Sequence, residues 1–206
     1  MASPILIRFL SVSFMYTMVF STALAAQGDD PDWPCIQRKV PTLSLGQIWN
    51  GPELGPAVAG QEDAMLVSEL SARRVPLAEA QQMIEDFANS LPEDRRKGRM
   101  MALVRGLFDH MNSERSQVIS GIARYAHRQR DMAARLRQEA SEVDALRAQP
   151  DAEPRQLALR NDRLLLQTRI FQERVQSLTF VCEVPTLIEQ RLYALAKTIS
   201  ETLGSQ

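Results

Sequence analysis

The sequence has no G-x-S-x-G or S-x-x-K pattern, no H-E-x-x-H, no C-x-x-C and no glycine-rich loop between a strand-like run and a helical one. These absences remove an activated serine, a helical zinc site, a thiol redox pair and a phosphate cradle as starting points. A basic surplus is lacking too: 24 Lys and Arg stand against 25 Asp and Glu, whereas nucleic-acid binders carry a positive excess. The chain therefore reads as non-enzymatic, with no catalytic residue, cofactor, metal or nucleic-acid partner expected.

Long apolar runs are scarce as well. Only the first 25 residues hold one: Arg8 is the sole charge there, Phe9 to Leu24 is apolar, and Ala23-Leu24-Ala25 supplies a small-residue cleavage site. This predicts a signal peptide over 1–25, cut before Ala26. An uncleaved anchor is the alternative, and it is the one route to membrane contact, because the run approaches the length of a span. An exported chain, periplasmic or secreted, meets oxidising conditions. Its two cysteines, Cys35 and Cys182, are therefore expected to form one disulfide. Two reduced thiols on a metal would need a close second ligand pair, which is missing. Such a long closed loop contributes about 4–5 kcal/mol in the chain-entropy description.

Proline and glycine are unevenly spread. Residues 26–60 hold Pro31, Pro34, Pro41, Pro52 and Pro56 with Gly46, Gly51, Gly55 and Gly60, which excludes a long helix there. Trp33, Ile36, Val40, Leu43, Leu45, Ile48 and Trp49 lie in the same stretch and argue against disorder. We read an irregular N-terminal strap that lays its tryptophans on a helical body and is pinned by Cys35, with short strand pairing near Val40 to Leu45 an option. Residues 61–206 form the helical domain.

Within it, a first helix spans about Glu62 to Ala72, with Met65, Leu66 and Leu70 inward. The second runs from Pro76 to about Asn89, with Leu77, Ala80, Ile84 and Phe87 on one face. Ser90-Leu91-Pro92-Glu93 matches a capping box for a third. From Glu93 to Ala148 there is no proline; Met100, Val104, Leu107 and Met111 make an apolar stripe, and Asn112-Ser113 is a candidate bend.

Beyond that point two segments mirror each other. Val118, Ile122, Tyr125, Gln129, Met132, Leu136, Glu139, Val143 and Leu146 recur at alternating steps of four and three. Leu157, Asn161, Leu164, Thr168, Phe171, Val175, Leu178, Cys182 and Pro185 do the same. The position numbers of facing partners keep a nearly constant sum, as an antiparallel pair requires. The predicted fold is all-α: a helical bundle with a long, coiled-coil-like antiparallel helical hairpin over about 113–182, turning at Gln149 to Pro154. Its seam is expected at Ile122, Tyr125, Met132, Leu136, Leu164, Phe171, Val175 and Leu178. At 1.5 Å per residue the ascending stripe spans roughly 43 Å. Pro185 should interrupt the descending arm before a last helix, Thr186 to Thr202, that presents Leu187, Ile188, Leu192, Leu195 and Ile199.

Candidate sites are thin. His110 and Glu114 sit one turn apart, but two ligands are too few for a transition metal. Met100, Met101, His110 and Met111 suggest copper, yet a methionine stripe at helical spacing is core filler. Arg124, Arg128, Arg130, Arg135 and Arg137, around His127, read as a solvated face, with an anionic partner as the alternative. Asp29, Asp30 and Asp32 lack calcium-loop spacing. Leu159, Leu165 and Leu166 fall off the seam and require cover from the first two helices, a second copy or a partner. The expected role is an exported interaction protein, an adaptor, assembly factor or accessory subunit of a cell-envelope complex, meeting a protein partner or itself through the hairpin. The alternative is a periplasmic small-ligand or copper-binding bundle.

Overall fold

A computed structural model describes residues 30, 32–54 and 61–204; the expected leader and the remainder of the strap lie outside the described residues. Among the described residues five helices follow one another: α1 (Leu45–Ile48), α2 (Gln61–Ser71), α3 (Leu77–Ser90), α4 (Glu93–Arg147) and α5 (Pro154–Gly204). No strand occurs among the described residues. The fold is all-α, a bundle from which two long helices project as a hairpin, as the sequence predicts.

The bundle is built where α2 packs on α4 and α3 on α5. Leu70, Ile84, Met100, Leu103, Leu107, Leu192, Leu195 and Ile199 are fully buried at its centre. Burying a leucine or isoleucine side chain contributes about 1.5–3 kcal/mol, so this cluster anchors the bundle end of both long helices. Helix α2 is rotated from the expected face: Val67 is buried and Met65 is exposed. Gly106 faces Val67, whose Cγ2 would lie 3.0 Å from an added Cβ. The missing side chain lets α2 close on α4.

Two expected breaks are absent. Helix α4 runs 55 residues without a bend assigned at Asn112-Ser113. The Asn112 amide is committed to the strap: its Oδ1 accepts from the Leu43 N–H at 2.9 Å and its Nδ2 donates to the Leu43 carbonyl at 3.3 Å. Helix α5 likewise passes through Pro185. A proline inside a helix costs about 3 kcal/mol; deep burial of Ile188, Leu192, Leu195 and Ile199 just beyond it offsets that cost. The predicted capping box at Ser90 is replaced as well. The Ser90 hydroxyl donates to the Phe87 carbonyl at 2.7 Å, closing α3, and Pro92 stands at the start of α4. A reciprocal box forms at Ser44 and Gln47 instead, giving the strap one short helical turn rather than strand pairing.

The strap is fixed by backbone contacts along α4. Arg115 donates to the Val40 carbonyl at 2.7 Å and the Ser116 hydroxyl to the Pro41 carbonyl at 2.7 Å. Leu43, Ile48 and Trp49 enter the core. Trp49 folds over Gly51, where any Cβ would meet its ring at 2.3 Å, and its indole N–H donates to the Pro52 carbonyl. Trp33 differs from expectation: its indole donates within its own segment, to the Gln37 carbonyl. Cys35 and Cys182 are bonded, with Cα atoms 5.5 Å apart. Disulfides of this kind form and persist under oxidising conditions. Among the described residues no helix is long and apolar enough to cross a membrane.

Candidate interaction surface on the hairpin

The hairpin turns at Ala148 to Glu153. Glu153 carboxylate oxygens accept from the backbone N–H groups of Gln156 at 2.9 Å and Arg155 at 3.2 Å, satisfying first-turn donors that have no helical partner. From there α4 and α5 run together in the expected register. Glu142 faces Arg160 near the tip at 3.5 Å, and Arg115 faces Glu189 at the base at 3.3 Å. The interlocked arms thus extend past the predicted 113–182.

The seam holds Ile122 and Val143 buried, with Met132, Leu136, Leu164, Phe171 and Leu178 half-buried. Tyr125 is half-buried at its edge, its hydroxyl 3.4 Å from the Arg174 carbonyl, while Ala126 takes the inward position. Val175 is a correction: it is 42% exposed. At this height the seam carries Gln129 rather than a large apolar side chain, and it opens beside a groove of about 440 Å³ lined by Tyr125, Arg128, Gln129, Asp131, Met132, Arg135 and Arg174. The Arg174 guanidinium lies 3.7 Å from the Met132 sulfur. Gln129 is buried and its Oε1 has no hydrogen-bond partner.

Leu159, Leu165 and Leu166 are 64%, 60% and 59% exposed. The first two helices do not cover them. Sequence reasoning missed further members of this surface: Phe180, Val181 and Leu187 on the same helix are exposed as well. Leu187 had been expected inward with Ile188. The signal was present, since Phe180 and Leu187 follow Leu159 and Leu166 at multiples of seven, which places them on the face opposite the seam.

The other candidates resolve into structure. Met100 and Met111 pack in the core, and His110 is exposed. Among the described residues no cluster of three His, Cys, Asp or Glu side chains could hold a metal ion. His127 and Arg130 from the basic stretch both contact Asp32, so part of that stretch anchors the strap. Asp30 pairs with Lys39; this hydrogen bond, then one from the Asp32 N–H, holds the Asp30 carboxyl below its ordinary range. Arg191 donates to the carbonyls of Leu70 and Val75 at 2.8 and 2.9 Å, and burial pushes its pKa down from the ordinary value. No protein-family model, curated protein or solved structure matches the chain.

Proposed function

We propose that this is an exported, non-catalytic interaction protein of the cell envelope, periplasmic or secreted, serving as an adaptor, assembly factor or accessory subunit. One observation carries the reading: large apolar side chains, Leu159, Leu165 and Leu166 foremost, stand exposed on the outer face of a projecting helix. Contiguous exposed apolar surface marks association sites, and anchors at helical spacing suit docking against a complementary face. The disulfide supports export, because it requires an oxidising compartment. The test is affinity capture from envelope extracts with the wild-type chain and Leu165→Glu. The wild type should retain a defined partner or its own untagged copy that Leu165→Glu loses. Identical recovery by both chains would contradict the reading.

A second reading, a small-ligand binder, draws on the groove beside Gln129, where a buried carbonyl oxygen lacks a partner. Native mass spectrometry of protein isolated from its own envelope addresses it: a retained mass lost in Gln129→Leu would favour this reading over docking.

A further inference from the structure

The flank of the hairpin beside Gln129 gathers positive charge that the chain does not neutralise. Arg128 and Arg135 of α4 and Arg174 of α5 line one groove there. Met132, Arg135 and Arg174 also line a second hollow of about 390 Å³, which continues the groove toward the tip past Leu136. Other arginines of the same two helices take carboxylates: Arg105 pairs with Asp109, Arg160 with Glu142 and Arg169 with Glu173. Among the described residues the three groove arginines have no such pairing. Arg174 lies against the Met132 sulfur at 3.7 Å, and Arg128 stands over the Tyr125 ring, 6.0 Å from its centroid. A thioether is a weak acceptor and a ring face attracts a cation without engaging its N–H groups. Both contacts therefore leave guanidinium donors to spare. Among the described residues the first groove holds one acid, Asp131, whose Oδ2 lies 3.6 Å from His127 Nε2.

A second, independent observation points into the same place. Gln129 lines the groove, is only 6% exposed, and its Oε1 has no hydrogen-bond partner. A buried acceptor without a donor is destabilising. The last torsion of a glutamine side chain is soft, so this amide gains by swinging outward to a donor on a bound molecule.

We propose that the groove binds a small organic anion. Its carboxylate or phosphate lies between Arg135 and Arg174, on opposite arms of the hairpin, whose planar forks match such groups. An apolar body rests on Met132 and the edge of Tyr125. An N–H or O–H group of the ligand donates to the Gln129 carbonyl oxygen, and Arg128 adds attraction at the far end. The groove, about 440 Å³, has the volume of a small-molecule site.

This inference rests on the small-ligand reading and names the ligand's chemistry. The probe is 4-hydroxybenzoate, titrated into the disulfide-bonded chain at low ionic strength and followed at the Met132 methyl and Gln129 side-chain amide signals. Both signals should move saturably. Arg135→Gln and Arg174→Gln should each weaken binding by about tenfold or more, the loss of one charge-assisted hydrogen bond. Arg163→Gln, on the exposed side of α5 away from the groove, should bind as the wild type does. The uncharged 4-hydroxybenzamide should bind about tenfold more weakly than the acid for the same reason. Benzoate, which lacks the donor, should bind more weakly than 4-hydroxybenzoate to the wild type and equally well to Gln129→Leu. Shifts that do not saturate, equal binding of acid and amide, or arginine variants that bind like the wild type overturn the proposal. So does a hexaglutamate peptide that binds more tightly than the probe through the same arginines, because the groove would then serve an acidic segment of a protein partner. If protein from its native source keeps a bound mass that Gln129→Leu loses while the probe fails to bind, the small-ligand reading stands and the anionic chemistry is excluded. If neither is bound, both fall.

Discussion

Arg115 of α4 contacts Glu189 of α5 at 3.3 Å while another of its nitrogens donates to the strap carbonyl of Val40 at 2.7 Å. One buried guanidinium therefore joins both arms of the hairpin and the N-terminal strap. Its loss would leave the Val40 carbonyl unpaired beside a void. Arg115→Ala should lower unfolding free energy by about 2–4 kcal/mol, read from urea midpoints at constant slope. A change under 0.5 kcal/mol would show that the junction does not depend on this residue.

The disulfide closes 147 residues of chain. Removing it in the paired variant Cys35→Ser, Cys182→Ser should cost about 4–5 kcal/mol if the denatured-chain constraint dominates. Helical content near neutral pH should be retained, because the bundle core lies mostly outside the strap. The intact chain should also weigh 2 Da less than its reduced form, the mass of two hydrogens lost in forming the bond. A mass that does not change on reduction would remove the staple.

Core and outer-face leucines should separate cleanly. Leu195 is fully buried, and Leu195→Ala should destabilise by about 2–5 kcal/mol. Leu159→Ala removes an exposed side chain and should stay within about 0.5 kcal/mol in a monomeric background. Thermal unfolding of both at low concentration makes the comparison. Equal effects would place Leu159 in the fold rather than on a docking face.

Strong acid should release the Asp30–Lys39 pair at the start of the strap. The Asp30 carboxyl is held low by Lys39 and by the Asp32 N–H. A depressed carboxylate contributes stability above its unfolded value, near 4, and that contribution fades as pH falls through the folded value. Carbon-detected titration of Asp30 should therefore move up toward the ordinary range in Lys39→Ala. An unchanged titration would mean the pair does not form in solution.

Much of this architecture was legible because its causes are local and periodic. The four-and-three alternation from Ile122 to Val143 and from Leu164 to Leu178 is a direct image of two helices in contact, and Cys35 with Cys182 followed from compartment and count. What the sequence hid was settled by tertiary packing. Pro185 looks like a stop, yet buried residues on both sides carry the helix through it. Asn112 looks like a bend, yet its amide serves the strap. Ser90 matches a cap pattern but closes the helix before it. Val175 keeps the seam's spacing and is lost from it because the facing position is Gln129, beside a groove. The outer row on α5 was written in the spacing of Leu159, Leu166, Phe180 and Leu187, but exposure alone distinguishes it from a second core face.

The account stands on that outer row being covered in the working protein. Hydroxyl-radical footprinting of native material in whole-cell extract, against the isolated chain diluted to a monomer, tests this residue by residue. Leu159, Leu166, Phe180 and Leu187 should label several-fold more slowly in the native extract, while the equally exposed Met65 on α2 labels alike in both. Equal labelling of the row in the two samples would contradict the assignment of this face as an interface.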